Sequence, residues 1–175
     1  MDYALDHGVN FFDTAELYPI PAHIDRYAET EKIIGNWFHN TGQRQNIVLA
    51  SKIAGPAPCT EFIRTGGFRP SAILESVEGS LRRLRTDYID LYQLHWPERS
   101  TNYFGQRGYS PDASESWKDN IHEVLLTLQT LVREGKIRQV GLSNETPWGV
   151  MRFLEENRAH ADLPRMITIQ KPYSL

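Results

Sequence analysis

With Cys59 as its single cysteine, the 175-residue chain can form no intrachain disulfide and no zinc site built on several thiolates. Long apolar runs are missing too. None approaches the roughly 20 residues that span a bilayer, and the opening MDYALDHG has neither the basic nor the apolar region of a secretory signal. A cytoplasmic protein without a membrane partner is expected. Charge of one sign is also scarce: 19 Lys and Arg against 22 Asp and Glu leave a formal net charge of -3, without the positive excess that a nucleic-acid partner requires. No GxGxxG follows a strand-like run and no GxxxxGK[ST] occurs, so the usual nucleotide fingerprints of open α/β sheets are absent. The six histidines, His7, His23, His39, His95, His122 and His160, show neither HxH nor HExxH spacing, and no metal is expected.

What the chain does have is a strict alternation of helical and extended segments. The length suits one domain. A short helical piece from Tyr3 to His7 stops at Gly8, and Val9 to Asp13 reads as a strand. Glu29 to Phe38 follows as a helix with Ile33, Ile34, Trp37 and Phe38 on its inner face, and Asn46 to Lys52 as a second strand. Pro70 opens a helix in which Leu74, Val77, Leu81 and Leu84 repeat at helical spacing while Arg82, Arg83 and Arg85 lie toward solvent. Tyr88 to His95 is the third strand. After a long polar loop, Ile121 to Glu134 is a helix with Val124, Leu125, Leu128, Leu131 and Val132 on one face, ended by Gly135. Gln139 to Ser143 is the fourth strand. Thr146 and Pro147 supply the N-cap and first residue of a helix running to Asn157, and Met166 to Gln170 is the fifth strand. Such alternation builds a parallel sheet, open or closed into a (β/α) barrel, and the missing fingerprints tilt the choice to the barrel.

Parallel α/β folds gather function at the C-terminal ends of strands. Here those ends carry Asp13, Lys52, His95, Ser143-Asn144 and Gln170. Each has an ordinary reading when taken singly: a turn aspartate, a snorkelling lysine, a core histidine, a turn and cap. Tyr18, before Pro19, could equally be a loop aromatic.

Together they carry a resemblance. Gly8 to Tyr18, GVNFFDTAELY, resembles the GxNxFDTAxxY signature of the aldo-keto reductase superfamily. LASKI around Lys52, SLRRLRTDYIDLYQLHWP from Ser80 to Pro97, GKIRQVGLSN from Gly135 to Asn144 and IQKPYSL at the end look like successive motifs of the same family. Within it the chain is similar to the bacterial Tas-like branch and to the potassium-channel β-subunits.

The resemblance implies an NADP(H)-dependent oxidoreductase that reduces aldehyde and ketone carbonyls to alcohols, with NADPH as cofactor and NADH as the alternative. Tyr18 would donate the proton, its pKa lowered by Lys52; Asp13 would pair with Lys52; His95 would orient the carbonyl. Asp13, Ser143, Asn144 and Gln170 would hold the nicotinamide. Trp96, in a loop that also carries Tyr103, Phe104 and Tyr109, is the first choice for the substrate wall. The family's barrel has eight strands, and the five here resemble its second to sixth. The expectation is therefore a single, incomplete domain over residues 1–175, a partial (β/α)8 TIM barrel whose exposed sheet edges invite self-association. A truncated non-catalytic remnant or a cofactor-sensing binding subunit is the alternative function.

Overall fold

A computed structural model describes residues 1–172; Tyr173, Ser174 and Leu175, the end of the IQKPYSL motif, lie outside the described residues. Ten main elements follow in the expected order: α1 (Asp2–Asp6), β1 (Phe11–Asp13), α2 (Glu29–Thr41), β2 (Val48–Ile53), α3 (Pro70–Leu84), β3 (Ile89–Leu94), α4 (Ile121–Arg133), β4 (Ile137–Ser143), α5 (Pro147–Ala159) and β5 (Met166–Gln170). Three short 3-10 turns, Ile24–Arg26, Gln43–Asn46 and Pro58–Thr60, lie in the loops, where hydrophobic periodicity gives no signal. Gly8 and Gly135 leave α1 and α4 with φ of 82° and 73°, and the Thr146 hydroxyl accepts from the Gly149 N–H to cap α5.

All four strand pairings are parallel, and the sheet order is β1-β2-β3-β4-β5. An order that never reverses, combined with right-handed crossovers, places every connecting helix on one side of the sheet. The uncovered side must then curl inward, which is a barrel wall and not a doubly wound sheet. The curl can be measured: Gln170 at the end of β5 donates to Asp13 at the end of β1 over 3.1 Å, although these strands are the two edges. The five strands form a curled half-barrel with its helices outside. No helix among the described residues is long and apolar enough to cross a membrane.

The main core lies between strands and helices. Leu49 and Ile53 of β2, Tyr92 and Leu94 of β3, and Val140 and Leu142 of β4 meet Trp37 and Phe38 of α2, Ile73, Val77 and Leu84 of α3, and Val124, Leu125, Leu128 and Leu131 of α4. At Gly35 an added Cβ would fall 2.2 Å from the Arg83 carbonyl oxygen, so α2 and α3 touch at backbone distance.

Two helix faces differ from the sequence expectation. Ile33 and Leu74, assigned to inner faces, are exposed, and Arg83, assigned to solvent, is largely covered. On α3 the inner position goes to Ile73, and on α2 to Glu31, which is fully buried and accepts from Arg83 Nε at 2.6 Å and from the Ser51 hydroxyl at 2.5 Å. Hydrophobic patterning counts charged residues as outward-facing, and a buried ion pair between neighbouring helices inverts that rule.

Candidate active site

The strand ends at the open mouth bring the expected residues together. Beyond β1 the chain keeps following β2: the N–H of Thr14 donates to the Ala50 carbonyl and that of Glu16 to the Lys52 carbonyl. That extension carries Tyr18 over the mouth. Glu16, fully buried, pins it further by accepting from the Ala54 N–H at 2.7 Å, the Ser76 hydroxyl at 2.7 Å and both terminal nitrogens of Arg64. Nothing in the composition marks Glu16; its place inside the signature, between Asp13 and Tyr18, is the signal that could have singled it out.

Lys52 faces the inside of the curl and its side chain is 0% exposed. Its ammonium donates to Asp13 Oδ2 at 2.7 Å and to the Thr14 carbonyl at 2.8 Å. Burial pushes the Lys52 pKa below its ordinary 10.5, and Asp13 opposes that shift only in part. Asp13 is held on three sides, because Gln93 Nε2 reaches its Oδ1 at 3.2 Å while Lys52 and Gln170 share its Oδ2. Gln93 is a residue that sequence reasoning missed. It stands two positions before His95, on the same face of β3 by strand alternation, and a lone amide in the apolar run from Leu91 to Leu94 was the available clue.

His95 continues β3 by donating its backbone N–H to the Ile53 carbonyl. Its side chain is buried, and its Nδ1 is without a hydrogen-bond partner among the described residues. Burial first, and the Lys52 charge second, lower its pKa to about 3, so the imidazole is neutral at any physiological pH. The Tyr18 ring stands edge-on to it at 5.5 Å, and Lys52 Nζ lies 5.3 Å from the centre of the same ring. The Tyr18 phenol corrects one expectation. Burial and then the Asp13 carboxylate raise its pKa above 10.0, so its protonated form is favoured, whereas the resemblance implies a pKa lowered by Lys52. The lysine is committed to Asp13 and Thr14 and meets the ring of Tyr18, which explains the difference.

Tyr18, His95, Ser143, Asn144 and Gln170 line one cleft of about 550 Å³, together with Phe104, Gly105, Lys171 and Pro172. Asn144 turns into it with φ of 54°, donating its side-chain amide to the His95 carbonyl and the Ser143 hydroxyl, both at 3.0 Å. Its backbone N–H donates to the Gln170 carbonyl, and Lys171 Nζ reaches the Glu145 carbonyl at 2.8 Å. Trp96 is not part of this lining. It is buried under the mouth against Leu17 and Ala54, donates its indole N–H to the Pro56 carbonyl at 3.3 Å, and occupies space that a Cβ on Gly55 would need. The aromatic wall is Phe104, which packs edge-on to Trp96 and to His95. Both belong to the long loop expected to form the wall, but loop conformation, which decides between them, leaves no periodic trace.

The cleft can hold a planar amide. Asn144 Oδ1 and Gln170 Oε1 accept no hydrogen bond among the described residues, while the amide nitrogens of the same side chains are anchored to the protein. Two oriented acceptors beside the Ser143 hydroxyl match the donors and acceptor of a carboxamide. That fits a nicotinamide.

Comparison with known proteins returns a consistent picture. A family model described as "Aldo/keto reductase family" matches residues 1–175. Protein tas of Escherichia coli (strain K12) is 45% identical over 186 aligned positions, covering 100% of this chain and 51% of that protein. Aldo-keto reductase YhdN of Bacillus subtilis (strain 168) is 33% identical, with 98% and 42% covered. The chain spans about half the length of the curated relatives it matches. Among solved structures, an aldo/keto reductase from Klebsiella pneumoniae in complex with NADP and acetate superimposes with a TM-score of 0.55 at 30% identity, over 87% of this chain and 40% of that one.

Proposed function

The chain belongs to the aldo/keto reductase family, and from that premise we propose that it forms the catalytic mouth of an NADP(H)-dependent oxidoreductase reducing small aldehydes or ketones to alcohols. The observation that carries this reading is the convergence of Asp13, Tyr18, Lys52 and His95, from three strands and a loop, with Tyr18 and His95 lining one cleft and the Lys52–Asp13 pair behind the Tyr18 ring.

In this reading Tyr18 holds the proton that the carbonyl oxygen receives. Its raised pKa keeps that proton in place through the neutral range. Lys52, fixed by Asp13 and the Thr14 carbonyl 5.3 Å from the Tyr18 ring, offsets part of the cost that burial and Asp13 place on the phenolate left behind. His95 borders the cleft as a neutral imidazole and orients the carbonyl by hydrogen bonding. Ser143, Asn144 and Gln170 hold the carboxamide of a nicotinamide, and Asp13 steadies Gln170. The cofactor, when bound, supplies hydride to the carbonyl carbon. Phe104 and Gly105 border the substrate side.

The five strands are read as the second to sixth of an eight-stranded barrel. The relatives' greater length supports that placement, as do the apolar side chains exposed at the two sheet edges, Phe11 on one and Ile167 and Ile169 on the other. Association through those edges, with further strands or with a second copy, belongs to the same proposal.

The test is a fluorescence titration with NADPH followed by cofactor consumption with a panel of small aldehydes and ketones. Saturable binding with carbonyl-dependent oxidation of NADPH is expected. An absence of saturable binding overturns the reading in favour of a non-catalytic chain.

A further inference from the structure

Away from the cleft, the outer helical layer brings two histidines and a glutamate onto one point. We propose that His122, Glu156 and His160 form a site for a divalent transition metal of the zinc class, linking α4 to the end of α5.

Glu156 lies in the last turn of α5, and His160, the residue that caps that turn, follows at i+4 and donates its backbone N–H to the Glu156 carbonyl, so the two side chains meet. His122 arrives from the first turn of α4, 34 residues earlier in sequence. Both imidazoles address the same carboxylate oxygen: His122 Nδ1 lies 2.7 Å and His160 Nε2 3.4 Å from Glu156 Oε1. The three ligand atoms all fall within 4.8 Å of one another, and the two rings stand 4.7 Å apart at 68°. Tetrahedral zinc with bonds near 2.0–2.1 Å sets neighbouring donors about 3.3 Å apart, so the ion draws the two imidazoles together by rotation of their exposed side chains and displaces the proton now shared by His122 and Glu156.

The surroundings are arranged for this. The other carboxylate oxygen, Oε2, is taken by Arg152, itself held by Asp119 at 2.8 Å, which turns Oε1 toward the histidines and keeps the arginine off it. The His122 and His160 side chains are 48% and 50% exposed, leaving a path for the ion and room for water as a fourth ligand. Two imidazoles and one carboxylate select zinc, or its spectroscopic substitute cobalt, over magnesium or calcium, which take oxygen ligands. The histidine spacings hide such a site because its ligands come from two helices.

The experiment is a titration of the metal-free protein with Co2+, followed by visible absorption, and with Zn2+, followed by calorimetry. One equivalent should bind saturably, with release of protons and with tetrahedral ligand-field bands. His122→Ala, His160→Ala and Glu156→Gln should each weaken binding by at least about tenfold. The last keeps a hydrogen bond to the imidazoles, so its effect is not one of folding. Absence of one-equivalent binding, or binding by the three variants as tight as that of the unaltered protein, overturns the proposal.

Discussion

Two buried ion pairs in this molecule are built almost alike and do different things. Arg83 and Glu31 join α3 to α2 at 2.6 Å, with Glu31 fully buried and the Arg83 side chain 17% exposed. Lys52 and Asp13 join β2 to β1 at 2.7 Å, with Lys52 fully buried and the Asp13 side chain 27% exposed. The difference lies in what remains unspent. Glu31 is closed off by Arg83 on one oxygen and Ser51 on the other, within the layer between strands and helices. Lys52 uses two of its three donors, on Asp13 and Thr14, and lies 5.3 Å from the Tyr18 ring at the edge of an open cleft. Buried charge alone therefore does not locate a site. A buried charge with unspent capacity beside a cavity does.

The comparison breaks most visibly in stability. Arg83→Met strands a buried carboxylate and should cost about 3–5 kcal/mol in urea unfolding, whereas Lys52→Met leaves a partly exposed carboxylate that water can reach and should change stability by no more than about 1 kcal/mol. Turnover should reverse the order, with Lys52→Met reducing it by about 100-fold or more. Equal losses of stability in the two variants would show that both pairs are structural.

His95 sharpens the contrast through pH. Its folded pKa of about 3 lies below the unfolded 6.5, so the unfolded chain takes up the proton first as pH falls. Its contribution is complete above pH 6.5 and is lost progressively toward pH 3. Between pH 7 and pH 4.5 that linkage amounts to about 2–3 kcal/mol. His95→Asn should flatten this part of the stability curve, measured by urea midpoints at the two pH values, and an unchanged slope would remove the buried neutral imidazole from the account.

A smaller effect is expected at Gln93, which spends one amide proton on Asp13. Gln93→Leu should keep the fold within about 1 kcal/mol and weaken NADPH binding through a less well positioned Asp13. The smallest effect is expected at Leu74→Ala, less than about 0.5 kcal/mol, against about 2–4 kcal/mol for its buried neighbour in Ile73→Ala.

Much of this was legible in the sequence. Strands and helices alternate strongly enough that all ten elements could be placed, with caps at Gly8, Gly135 and Thr146, because period and capping are local properties. The barrel could be preferred but not decided, since strand order is a property of pairing. Asp13, Lys52 and His95 stood out as polar groups at the ends of apolar strands, and the structure brings them together with Tyr18. Less legible was whatever depends on partners distant in sequence. Arg83 looked solvent-facing because the buried carboxylate that takes its charge, Glu31, lies 52 residues away in sequence. Trp96 looked like a cleft residue, and Phe104 took that place because the loop's path is set by packing against His95. The direction of the Tyr18 pKa depends on burial and on Asp13, neither of which a residue list contains.

The most direct test of the proposed chemistry is Tyr18→Phe, which removes one oxygen and keeps the ring that packs against His95. Carbonyl-dependent NADPH oxidation by the variant should fall by at least about 100-fold, with the NADPH dissociation constant unchanged within about twofold. Undiminished turnover would contradict the assignment of Tyr18 as proton donor, and with it the catalytic reading of the cleft.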